Sequence, residues 1–142
     1  MVQAARSGKQ NIVEASMASG TSTEMEIKLT NVARASLEEL KIDFQDFLRT
    51  SKLPIWDKEH KLTIRFRALN RTPIATYAVY QKAIEHEQPE ICANSMICLI
   101  SIVSYLLAQQ IKSLEKAFIN EGGLRERMTK ARIDHRNNNR YK

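Results

Sequence analysis

Cysteine, glycine, proline and histidine are all scarce in this chain of 142 residues, and each shortage removes a class of explanation. The two cysteines, Cys92 and Cys98, lie six positions apart in one apolar stretch. On a helix they face different ways, too far apart for a disulfide. With only three histidines beside them, a structural zinc site has no ligand set. They read as small hydrophobes in a reducing compartment, and the cytoplasm is the expected location. Four glycines and three prolines leave long uninterrupted stretches, because these helix breakers fall between the periodic segments. Met1–Gln10 holds no apolar run of the kind that leads a secretory signal.

Catalytic constellations are equally thin. A carboxylate-bridged metal site in a helical bundle needs repeated Glu-x-x-His pairs. Of His60, His86 and His135, only His60 has a carboxylate three positions earlier, in Asp57, which serves better as a helix cap. Arg6-Ser7-Gly8-Lys9 lacks both the first glycine and the following hydroxyl of a phosphate loop, and it sits on a helical stretch. The cysteines lie on the apolar segment and the histidines in polar ones, so no nucleophile–base pair can be assembled. The expectation is a non-catalytic protein with no cofactor, no metal and no small-molecule substrate.

What is present is helical periodicity. Residues 2–18 read as a helix with Val2, Ala5, Ile12, Val13 and Met17 inward and Arg6, Lys9 and Gln10 outward. Ser19-Gly20 breaks it. Thr21-x-x-Glu24 or Thr23-x-x-Glu26 forms a capping-box pattern before a long helix to about Thr50. Its seam is Met25, Leu29, Val32, Ser36, Leu40, Phe44 and Phe47, widened by Ala33 and Leu37. Leu53-Pro54-Ile55-Trp56 is an apolar turn, with Trp56 packed on the bundle, and Asp57 caps a helix over 58–70. Thr72-Pro73 opens another over 73–87, in which Tyr77 and Tyr80 serve as core or interface. Pro89 opens a last long helix, 89–120, that Gly122-Gly123 ends. No charge occurs from Ile91 to Ile111, a length sufficient to span a bilayer. That stretch contains Asn94, Ser95, Ser101, Ser104, Gln109 and Gln110, so it reads as a central helix covered on several sides, and no membrane association is expected. The fold class is therefore all-α, an antiparallel helical bundle of about five helices. It divides into a bundle-like segment 1–52, a helical segment 53–123, and a basic helix and tail 124–142.

Charge is unevenly placed. The net charge is +6, and residues 124–142 carry seven cations against Glu126 and Asp134, a surplus of five. A helix over 123–135 followed by a disordered Asn-rich end would neutralise phosphates without reading bases. The candidate nucleic-acid contacts are Arg125, Arg127, Lys130, Arg132, Arg136, Arg140 and Lys142, with Arg6 and Lys9 extending the patch, together with Lys28 and Arg34, where they share a surface. RNA or DNA is the expected partner. A purely structural or protein-binding module, its tail only a solubiliser, is the alternative.

Two sets of residues carry a family resemblance. Asn11-Ile12-Val13-Glu14-Ala15, the polar turn Ser19-Gly20-Thr21-Ser22, and Ala33-Arg34-Ala35-Ser36-Leu37-Glu38-Glu39-Leu40 form the first. They resemble the four-helix-bundle proteins related to the 23S rRNA intervening-sequence protein. Pro54-Ile55-Trp56-Asp57-Lys58 and Glu121-Gly122-Gly123-Leu124-Arg125-Glu126-Arg127-Met128 are similar to the four-helix-bundle suffix domain. Ala15 stands where the family usually has glycine, which lets the helix run on. The chain opens almost inside the family's second helix, so a bundle short of one helix is expected, its seam over 25–47 exposed as an apolar groove. The resemblance implies a small basic adaptor that assembles as a ring-like homo-oligomer. Some relatives sit beside ribosomal RNA genes, and others assist retroelement reverse transcriptases.

Overall fold

The structure, a computed structural model, describes residues 1–72 and 76–140. It is all-α. Six helical segments, α1 (Val2–Ala18), α2 (Thr23–Thr50), α3 (Lys61–Leu69), α4 (Tyr77–Ile84), α5 (Pro89–Glu121) and α6 (Leu124–Arg140), make the antiparallel bundle. Only Gly122, at φ +73°, and Gly123 separate α5 from α6.

α2 is the spine. It packs antiparallel against both α1 and α5, while α3 and α4 lie on α5. Ser7 shares a hydrogen bond of 2.8 Å with Ser36, and the amino group of Met1 pairs with Asp43. Ala4, Leu40 and Ile100 meet in the core, flanked by Leu37 and Phe44. Gln110 Nε2 donates to the buried carboxylate of Glu26 at 3.3 Å, fixing the other end of the α2–α5 register.

The buried stripe of α1 differs from the one its large residues suggest. Val2 and Met17 are 69% and 77% exposed and Val13 faces solvent, whereas Ala4, Gly8 and Ala15 are buried. The reason is interaxial distance. A Cβ placed on Gly8 would sit 3.2 Å from Leu37 Cδ2, so α1 and α2 approach where only small residues fit. α2 is rotated likewise. Met25, Val32 and Phe47 of the expected seam are exposed, Leu29 and Phe44 are half-buried, and Ser36 and Leu40 are buried. Ala33 is buried as expected, and Glu26, Thr30 and Leu48 complete the inward face.

The caps also differ. α2 begins at Thr23 with Ser22, in neither capping-box register, accepting from the Met25 N–H at 3.2 Å. Replacing Ser22 with Ala leaves that amide without its partner, and urea denaturation is expected to show a loss of about 1 kcal/mol. A change within experimental error would mean that water caps the helix equally well. α3 is capped by His60, whose Nδ1 accepts from the Leu62 N–H, while Asp57 accepts from the Glu59 N–H in the preceding turn. Thr72 bonds back to the Leu69 carbonyl, Pro73 lies outside the described residues, and α4 starts only at Tyr77. Within α3 and α4, Phe66 stacks on the buried Tyr80 at 5.5 Å, while Tyr77 is exposed and donates to Glu85 Oε1. That hydrogen bond raises the Tyr77 phenol above its ordinary value and, with a second one from Gln81, lowers the Glu85 carboxyl.

Pro89 at the first turn and Gly122 at φ +73° bracket α5 as its sequence indicates. Ala93, Ile100, Ser104, Leu107 and Ile111 make its buried seam, while Tyr105 and Leu106 are exposed. Among the described residues one helical run, Pro89–Asn138, is long and apolar enough to cross a membrane, and 33% of its most apolar window is buried. Cover therefore comes from the α2 side and from α3 and α4, and not from every side as the composition of this helix suggests. Both cysteines are free and half-buried. Burial pushes the Cys98 thiol up, against a hydrogen bond with Thr63 and the charge of Arg67, so it stays protonated at neutral pH.

Candidate nucleic-acid interface

α6 is longer than its sequence suggests. It runs through Asn137–Arg140, where an Asn-rich disordered end is expected from composition, and Tyr141 and Lys142 lie outside the described residues. Arg, Lys, Met and Ala favour helix strongly enough to carry three consecutive asparagines at its end. Its start is well set. Glu126 Oε2 accepts from the Gly123 N–H at 2.9 Å, and this carboxylate stands in the first turn, where the helix dipole favours it. No other helix packs extensively on α6, and every residue from Arg125 to Asn138 is exposed.

The helix carries Arg125, Arg127, Lys130, Arg132, Arg136 and Arg140 against Glu126 and Asp134, six minus two, or +4. At 100° per residue, Arg125, Arg132 and Arg136 fall within about 40° of one another, on a stripe about 17 Å long. None of these three guanidinium groups has an ion-pair partner among the described residues. Beside the stripe lie Met128, Ala131 and His135, which with Arg132 and Arg136 line a shallow groove. Arg127 and Lys130 point elsewhere on the helix. The arrangement supplies closely spaced cations and a narrow apolar strip. Exposed arginines repeated along one stripe suit contacts to successive phosphates of a backbone.

Arg6 and Lys9 are exposed on the outer face of α1. The α1–α2 and α2–α5 registers place them beside the middle of α5, roughly 30 Å along its axis from the start of α6. The structure therefore does not merge them with the α6 stripe into one patch. Lys28 is exposed on α2, and Arg34 is half-buried there with its Nε unpartnered. A second gathering of cations, Lys41, Lys58, Arg67 and Arg71, surrounds a cavity between α2, α3 and α5. Sequence reading does not find it, because these residues come from three separate segments and form no local run. Trp56 is held as the packed turn its sequence suggests. Its N–H donates to Asn94 Oδ1 at 2.8 Å, its indole N–H donates to Glu90 Oε1 at 3.1 Å, and its ring stacks on His60 at 4.3 Å. Among the described residues no group of three or more His, Cys, Asp or Glu side chains is placed to hold a metal ion.

No family model, no curated protein and no solved structure matches the chain.

Proposed function

We propose that this protein is a non-catalytic, RNA- or DNA-associated adaptor of the cytoplasm, which grips the sugar–phosphate backbone through α6 and assembles with further copies of itself through its helical bundle. The observation that carries the reading is the stripe of Arg125, Arg132 and Arg136 on a helix that, among the described residues, is exposed from Arg125 to Asn138 and packs extensively on no other helix. An exposed helix with a surplus of four charges gains little from tertiary packing. Its cations are free to displace the counterions of a polyanion. The resemblance to the intervening-sequence family points the same way and rests on the quoted residues alone.

The test is a salt titration of binding to RNA and DNA by fluorescence anisotropy. The logarithm of the association constant is expected to fall linearly with the logarithm of salt, by roughly 0.7 to 0.9 per phosphate contacted. Arg132→Gln is expected to flatten that slope by about one contact without changing any preference among sequences. A slope near zero in the intact chain would sink the reading. A second reading, a structural oligomer or protein-binding module, is favoured by the exposed Val2, Val13 and Met17 of α1 and Met25 and Val32 of α2. It leaves α6 as a solubiliser and predicts that same flat titration.

A further inference from the structure

The cavity between α2, α3 and α5 carries an inference of its own, independent of α6. It measures about 660 Å³ and lies between the second half of α2, the turn over residues 53–60, α3 and the middle of α5. That volume is within the range of roughly 300–1,000 Å³ typical of small-molecule sites. Ile97, Cys98 and Ile102 of α5 give it an apolar floor, Trp56 stands in one wall, and Tyr105, 63% exposed, stands at the mouth.

Its charge is one-sided. Lys41 comes from α2, Lys58 from the turn, and Arg67 and Arg71 from α3 and the residues just after it, against the single carboxylate of Asp57. Four minus one leaves a surplus of three. A solvated helix face produces cations that radiate from one element, whereas these converge from three elements on one space. Lys41 is partly neutralised by Glu38 at 3.4 Å. Lys58, Arg67 and Arg71 have no ion pair among the described residues. Arg67 near the end of α3 and Arg71 in the turn that follows both line the cavity. Gathered like charges repel one another unless an anion joins them, and guanidinium groups match the geometry of a phosphate. The apolar floor and the two aromatic rings ask for something flat as well.

We propose that this cavity is a binding site for a nucleoside monophosphate, the phosphate held by Arg67, Arg71 and Lys58 and the base lying on the apolar floor beside Tyr105. A terminal phosphomonoester carries about two negative charges at neutral pH, which the surplus of three accommodates. A bare phosphate would leave the floor and the rings unused, and a nucleoside would leave the cations unpaired.

Trp56 is the only tryptophan in the chain, so its fluorescence reports on this wall without labelling. The intact protein is titrated with AMP, GMP, CMP and UMP, and separately with adenosine and inorganic phosphate, at about 150 mM salt. Calorimetry runs in parallel. At least one monophosphate is expected to bind saturably, with adenosine and inorganic phosphate each at least about tenfold weaker. Arg71→Gln is expected to bring the monophosphate down to the affinity of its nucleoside. Tyr105→Ala is expected to weaken monophosphate and nucleoside alike, by about tenfold. Both side chains are exposed, and circular dichroism checks that the variants remain folded. Substitutions on α6 are expected to leave this binding unchanged, so its failure and that of the α6 reading are separable. The proposal is overturned if neither readout detects any monophosphate at millimolar concentration. It is equally overturned if inorganic phosphate binds as tightly as the monophosphates, or if binding survives both Arg71→Gln and Tyr105→Ala unaltered.

Discussion

A chain carrying Arg125→Gln, Arg132→Gln and Arg136→Gln together is expected to bind RNA or DNA about a hundredfold more weakly than the parent at physiological salt. The figure follows from counterion release. Each phosphate neutralised is worth close to one power of the salt concentration, or about fivefold near 0.15 M, and three such factors multiply to about a hundred. The three side chains are exposed and make no ion pair among the described residues, so their loss takes nothing measurable from the fold. Glutamine keeps their length and helix propensity, so α6 itself is retained. A companion chain ending at Gly123 is expected to lose the salt-sensitive component altogether. A control with Arg6→Gln and Lys9→Gln, roughly 30 Å away along α5, is expected to show a much smaller effect. The comparison has a clear adverse outcome. If the triple variant binds like the parent while the α1 control does not, the basic helix is a solubiliser and the contact surface lies on α1.

The course of the helices was legible because their punctuation is chemical. Pro89 fits only the first turn of a helix, and Gly122 adopts the positive φ that ends one, so α5 could be bracketed without reference to packing. Facing was less legible. Pattern reading turns large apolar residues inward, and on α1 that selected Val2, Val13 and Met17. The chain instead brings α1 and α2 close through Ala4, Gly8 and Ala15, a stripe that hydrophobicity alone ranks low. The same rotation carries Met25 and Val32 of α2 into solvent and buries Glu26, whose carboxylate accepts from Gln110, distant in sequence. The basic helix was visible as a run of charge, and its single arginine stripe emerged once its full extent to Arg140 was known. The cavity beside Trp56 had no such signature, since Lys41, Lys58, Arg67 and Arg71 become neighbours only through the packing of α3 on α5.

Asn94 is the residue whose loss is expected to cost the fold most for its size. It is 1% exposed, midway along the wall that α5 offers to the turn over residues 53–56. Its Oδ1 accepts the Trp56 N–H at 2.8 Å, and its Nδ2 donates to the Pro54 carbonyl at 3.0 Å and to the Glu90 carbonyl at 2.9 Å. One amide thus satisfies both a donor and an acceptor of a backbone segment that has no helix of its own to bond with. Asn94→Ala leaves those groups unpaired beside a small void. At about 1–3 kcal/mol for each buried group left without a partner, partly relieved by water, the expected loss is about 3 kcal/mol in urea denaturation. Asn94→Asp separates the two roles. The carboxylate still accepts from Trp56 but faces the Pro54 and Glu90 carbonyl oxygens with no donor, and it brings a charge into a buried position. It is expected to be at least as damaging as Ala at neutral pH and to recover as acid protonates it. Protonation restores one donor, so stability lost above the raised carboxyl pKa returns below it. Trp56 fluorescence should shift to the red in both variants as the turn lifts from α5. A loss under about 0.5 kcal/mol with unchanged emission would mean that the Trp56 indole, through Glu90 and His60, holds the turn without Asn94.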